Sequence, residues 1–156
     1  MLDDKGLEDF KAHANNVAFD FESIFHARPS GLDNSSVTYG GVNVFNRAEK
    51  RRERIDLGFL NDYHIVLIDS GVEKNTKKTV SMIKTMTEDP ELGLATTSII
   101  DAIGNVTKSI EKLIMNQELL SNKQKVAKDF EQLIKYNHYL LKSLNLSNKE
   151  IDQIIR

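Results

Sequence analysis

The stretch from Glu22 to Gly41, ESIFHARPSGLDNSSVTYGG, limits what this 156-residue chain can fold into more than any other. Pro29 disfavours helical backbone at Arg28, so a helix arriving from the N-terminal side has to stop before it. Pro29-Ser30-Gly31 then reads as a turn, with Gly31 able to take backbone angles that other residues resist. Asp33 follows directly, and a polar run ends at Gly40-Gly41. Two carboxylates, Glu22 and Asp33, therefore bracket a reversal of the chain. Nothing elsewhere in the sequence is as dense in groups capable of chemistry.

The flanking segments read as ordinary elements. Leu7, Phe10, Ala14, Val17, Phe21 and Ile24 recur in steps of three and four, which marks one face of a helix ending near His26. Glu22 sits at the edge of that face. Val37 to Phe45 alternates loosely and suits a strand, with glycines where another backbone or a ligand comes close. The charged run RAEKRRER, Arg47 to Arg54, predicts an exposed hairpin or loop before a short strand near Ile55 to Leu57. Tyr63 to Asp69 reads as a buried strand, because Ile65-Val66-Leu67-Ile68 is unbroken by polar residues. A polar break at Gly58 to Asp62 divides the chain into residues 1–60 and 61–156.

After Gly71 the pattern turns helical. Thr76, Val80 and Ile83 share a face up to a stop at Asp89-Pro90; Ile99 to Leu113 steps by four and three; Val126, Phe130, Leu133, Leu140 and Leu144 form a third stripe interrupted by Asn137. Ser147 predicts the N-cap of a last helix, with Glu150 completing a capping box. These strand and helix patterns together predict an α+β class.

Taken one by one, the polar residues have plain structural readings beside functional ones. Asp33 suits an Asx-turn and Glu22 a solvated helix position. His26 suits a helix C-cap, Thr76 the first turn of a helix, and Asn137 a hydrogen bond to a buried loop. Ser30, Ser35, Ser36 and Thr38 are common turn residues, and only Ser30 is retained as a candidate ligand contact.

The run His26-Ala27-Arg28-Pro29-Ser30-Gly31-Leu32-Asp33-Asn34, followed by Thr38-Tyr39-Gly40-Gly41, resembles the central motif of mevalonate kinases, written H-G-x-P-S-G-x-D-N with a T-x-G-G beyond it. These enzymes belong to the GHMP small-molecule kinase superfamily. Asp33 follows Glu22 by eleven positions, the offset between the catalytic aspartate and the magnesium-ligand glutamate of that family. Asp69 to Lys77, DSGVEKNTK, resembles the segment N-T-x-V-P-R-S-T-K, and Tyr136-Asn137-His138 resembles a later M-N-Q. Ala27, Arg28 and Glu73 depart from the usual residues.

The resemblance implies a GHMP-kinase-like fold, an α/β two-layer arrangement, with residues 1–60 completing an N-terminal domain and 61–156 opening a helix-rich C-terminal domain. It implies phosphoryl transfer from ATP to the 5-hydroxyl of mevalonate, with Asp33 as catalytic base and Glu22 as ligand of Mg2+. Ser30, Gly31, Asn34, His26 and Thr76 would bind substrate. The family's G-L-G-S-S-A and K-L-T-G-A-G-G-G-G loops have no counterpart among the eight glycines here, of which at most two are adjacent. Such loops hold phosphates by turning several N–H groups toward one anion. The isolated chain is therefore expected to be inactive, and to depend on self-association as a homodimer or on the missing parts of a kinase. The alternative is a truncated, non-catalytic kinase-like protein that binds a small molecule or a protein.

Composition narrows the partners. A formal net charge of −2 argues against nucleic acid or a membrane surface. Cysteine is absent, so there is neither a disulfide nor a thiolate metal site. The early acidic residues are unlike a signal peptide, and the expectation is a cytoplasmic protein.

Overall fold

The computed structural model describes residues 3–25, 29–46, 51–55, 63–64, 66–73, 75–116 and 120–155, with backbone alone at 25 and 51. The chain forms two compact units, Met1–Gly58 and Phe59–Arg156. The break expected at Gly58 to Asp62 lies outside the described residues.

In the first unit, α1 (Asp4–Phe25) is opened by Asp3, whose carboxylate accepts from the Gly6 N–H at 2.8 Å. A short helix, α2 (Leu32–Tyr39), follows the Pro29 turn, and β1 (Val42–Asn46) pairs antiparallel with β2 (Arg51–Ile55), Val42 facing Ile55 and Asn46 facing Arg51. Two expectations change here. The strand expected over Val37 to Phe45 is split, because Gly40 and Gly41, at φ 64° and 71°, stop α2 and turn the chain before a ladder can begin. The strand expected near Ile55 to Leu57 already begins inside the charged run, as one arm of the expected hairpin, while Asp56 and Leu57 lie outside the described residues. Arg52 lies with its guanidinium 3.7 Å from the centre of the Tyr39 ring and donates to Asn43 Oδ1 at 3.0 Å, so partners across the hairpin outweigh the low strand propensity of charged residues.

The second unit is helical where it is described: α3 (Thr76–Glu88), α4 (Gly93–Met115), α5 (Lys123–Ser143) and α6 (Lys149–Ile154). Asparagine caps three of them, Asn75, Asn122 and Asn148 accepting from the N–H three residues on at 2.9, 3.1 and 2.8 Å. The last cap is thus Asn148, one residue after the expected Ser147, whose hydroxyl instead donates to Asp152. Between α3 and α4, Asp89 accepts from the Leu92 and Glu91 N–H groups, which hold its carboxyl below the usual carboxylate range. Leu113 and Ile114 on α4, Val126 on α5 and Leu144 just past its end make the core. No described helix is long and apolar enough to cross a membrane.

The buried strand expected over Tyr63 to Asp69 is not found among the described residues of that range, which leave out Ile65. Val66, Leu67 and Ile68 lie in no strand and are 73%, 94% and 60% exposed. An apolar run becomes a buried strand only when neighbouring strands take its N–H and C=O groups, and its own sequence does not supply them.

Two glycines of α4 respond oppositely to alanine. A Cβ at Gly93 would stand 2.6 Å from the Thr87 carbonyl oxygen, whereas one at Gly104 meets nothing within 4 Å. Gly93→Ala is expected to cost about 1–3 kcal/mol by forcing the α3–α4 corner apart. Gly104→Ala is expected to gain about 0.5–1 kcal/mol from helix propensity. Urea unfolding of the two variants beside the parent chain measures both, and equal signs would contradict this packing.

Candidate functional site

α1 and α2 form an antiparallel hairpin. Gly31, at φ 81°, lies between two aromatic rings, a Cβ there falling 3.5 Å from Phe19 and 3.5 Å from Phe45. One turn further along α2, Asn34 Nδ2 donates to Asn15 Oδ1 at 2.9 Å and to the Asn15 carbonyl at 3.2 Å. Gly31 is thus level with Phe19 and Asn34 with Asn15. Ser30 Oγ accepts from the Leu32 N–H at 3.2 Å and shapes the entry to α2, while Gly31, at the N-cap, offers no side chain to cap it.

These levels place the two carboxylates. Asp33 is exposed in the first turn of α2, where the helix dipole favours an anion. Glu22 is half-buried on α1, seven residues and nearly two full turns beyond Asn15, so it lies on the same α2-facing stripe. Asp33 falls level with residues 16 and 17 of α1, which leaves an axial offset of roughly 8 Å to Glu22. Both carboxylates stand at one end of one hairpin. Asn34 Oδ1 is buried and has no hydrogen-bond partner among the described residues.

The expected site residues that are described fall in both units. Glu22, Ser30, Gly31, Asp33 and Asn34 share the first unit; Thr76 opens α3 in the second, exposed, next to the Asn75 cap. His26 lies outside the described residues. Ser30 and Asn34 have structural work of their own, in the turn and the interhelical bond. Sequence reasoning missed Asn15, Phe19 and Phe45, because their importance comes from what the hairpin sets beside them and no local pattern marks it.

It also missed a polar cluster in the second unit. Asp152 on α6 meets Lys142 Nζ at 2.6 Å, His138 Nε2 at 3.1 Å and the Ser147 hydroxyl at 2.8 Å. His138 is buried, and the cluster fastens α6 to the end of α5. Lys142 first, then Ser147, holds the Asp152 carboxyl below the usual carboxylate range. A depressed folded value means the contribution is complete above about pH 4, the value of a free carboxyl, and is lost as pH falls through the folded value. Asp152→Asn should therefore lower the unfolding midpoint at pH 7, and the difference from the parent should vanish near about pH 2. Thermal unfolding across that range measures it; a difference constant with pH would contradict the assignment.

As to metals, the described residues hold no group of three or more His, Cys, Asp or Glu side chains that could ligate one. A lone carboxylate still fits magnesium, which usually keeps several waters and binds through one or two carboxylates together with substrate phosphates.

No family model matches the chain, and no solved structure does. Among curated proteins, mevalonate kinase of Schizosaccharomyces pombe is 30% identical over 96% of this chain. That of Arabidopsis thaliana is 27% identical over 99% of it, and that of Mus musculus 28% over 94%. The chain spans 37%, 38% and 35% of the lengths of those three proteins. Along nearly all of its length, then, this chain is homologous to a segment of mevalonate kinases covering little more than a third of theirs.

Proposed function

We propose that this chain is the central segment of an ATP-dependent kinase that phosphorylates the 5-hydroxyl of mevalonate, with residues 1–60 and 61–156 as the adjoining parts of the two domains of a GHMP fold. The observation that supports it most is the homology to mevalonate kinases through the Pro29-to-Asn34 motif, with Glu22 and Asp33 on one helical hairpin. Asp33, exposed and close to the Gly31 turn, accepts the proton of the substrate hydroxyl as its oxygen attacks the terminal phosphorus of ATP and the bond from that phosphorus to its bridging oxygen breaks, ADP leaving with the electron pair. Glu22 would hold Mg2+, which when bound would offset the negative charge that develops during the transfer. Gly31 lets the backbone come near the substrate, Ser30 and Asn34 set the loop, and His26 and Thr76 complete the substrate contacts.

The phosphates of ATP are held in such kinases by glycine-rich loops, and no run of more than two glycines occurs in this sequence. Its paired glycines, Gly40-Gly41, are spent on ending α2 and starting β1. The isolated chain is accordingly inactive, and the complete site forms in the cytoplasm in an assembly that supplies the glycine-rich loops. The test is a transplant: this chain replaces the matching third of Schizosaccharomyces pombe mevalonate kinase, and ADP release is followed with mevalonate and Mg-ATP. Mevalonate-dependent turnover by the chimera supports the reading. A folded chimera without turnover overturns it.

A further inference from the structure

Glu22 and Asp33 stand on two different helices, so their relation depends on what fixes α2 against α1. Among the described residues, the side-chain hydrogen bonds between these helices are both made by one nitrogen: Asn34 Nδ2 donates to Asn15 Oδ1 at 2.9 Å and to the Asn15 carbonyl oxygen at 3.2 Å. Turning the Asn34 amide over would set its own oxygen against those two acceptors, so the amide has one orientation. That orientation is kept although Asn34 Oδ1 is buried without a partner among the described residues, a cost that a merely stabilising contact need not carry. The second attachment is one turn away, where Gly31 packs between Phe19 and Phe45. Asp33 lies between the two attachments in sequence and directly beside Asn34.

We propose, resting on the kinase reading above, that Asn15 is a positioning residue for phosphoryl transfer: it holds Asp33 in place through Asn34. Two attachments fix a short helix where one lets it pivot. With the Asn15 acceptor lost, α2 swings about the left-handed Gly31 turn, at φ 81°. A swing of roughly 10° on a lever of two residues and a side chain, about 6 Å, carries the Asp33 carboxylate about 1 Å. A misplacement of that size can lower a rate about 10²-fold. Asn15 also lies on the α2-facing stripe of the helix that carries Glu22, so one rigid element holds both the acceptor that places Asp33 and the other carboxylate. What the position requires is an oxygen at the reach of an asparagine side chain. Aspartate supplies that oxygen in the same shape, and alanine leaves only the backbone carbonyl.

The test is a double-mutant cycle in the chimera described above, with kcat and the KM for mevalonate and ATP measured for each form. Asn15→Ala is expected to lower kcat by roughly 10–10²-fold with the KM for ATP unchanged. Asn15→Asp should stay within about threefold of the parent, since the acceptor is kept. In the Asp33→Asn background, Asn15→Ala should cost less than about twofold, because groups that act as a unit do not add. A loss that came only from a smaller folded fraction would be the same in both backgrounds. Thermal unfolding checks the fold of each form; where Asn15→Ala does not fold, Asn15→Ser, which keeps an oxygen without the reach, takes its place in the cycle. An active parent chimera whose kcat is indifferent to Asn15→Ala overturns the inference and leaves the kinase reading standing. So does an equal loss in both backgrounds, or an Asn15→Asp form as slow as Asn15→Ala. A folded parent chimera without turnover removes the kinase reading and this inference together.

Discussion

Asp33→Asn is expected to lower phosphoryl transfer in the transplanted chimera by roughly 10²–10⁴-fold, the range for loss of a positioned proton acceptor. The substitution is nearly isosteric and removes the charge alone. Among the described residues, the contacts that hold α2 to α1 run through Asn34, Gly31 and the two rings, and none of them uses Asp33. The fold should therefore be unaffected, and thermal unfolding of variant and parent should coincide. Measured kcat and KM for mevalonate separate the possibilities: a base acting in the transition state lowers kcat, whereas a mere turn residue leaves it unchanged. Unchanged kcat would remove Asp33 from the mechanism. Glu22 should behave differently, its loss being answered in part by higher magnesium.

In the second unit, Leu144→Ala is expected to cost about 2–5 kcal/mol. Leu144 is 2% exposed, one of four large apolar side chains buried among the described residues. It also stands where α5 ends. The Asn145 N–H donates to the Lys142 carbonyl and the Leu146 N–H to the Leu141 carbonyl, both at 3.0 Å, with Asn145 left-handed at φ 58°. That is a Schellman closure, and the buried leucine anchors it. Domains of this size have about 5–15 kcal/mol in all, so the loss is a large share of the stability of the unit. Denaturant unfolding followed by helical signal measures it, with Leu94→Ala as control, since Leu94 is 84% exposed and should change stability by less than about 0.5 kcal/mol. Equal effects at the two positions would mean that α4 and α5 do not share this core.

The helices were largely legible in the sequence because their signals are local. The steps from Leu7 to Ile24, the stripe from Ile99 to Leu113 and the stop at Asp89-Pro90 each depend on residues within a turn or two of one another, and α1, α4 and α3 follow them. The candidate site was legible as residue types and spacing: Glu22, Ser30, Gly31, Asp33 and Asn34 all lie in one unit. Its geometry was not. That α2 is a helix rather than the start of a strand depends on Gly31 fitting between Phe19 and Phe45 and on Asn34 reaching Asn15, contacts across twelve to nineteen residues of chain.

Sequence by itself determined the α+β class, the helix faces, the turn at Pro29 and the kinase-like motif, since propensity, period and backbone restriction act over a few residues. Tertiary structure alone decided between hairpin and loop for the charged run, left Val66 to Ile68 out of any strand, and joined Asp152 to His138, Lys142 and Ser147. The physical reason is the same in each case. A strand needs a neighbour's hydrogen bonds and an ion cluster needs partners from a second helix, and a residue's own neighbours in sequence do not specify which distant groups arrive.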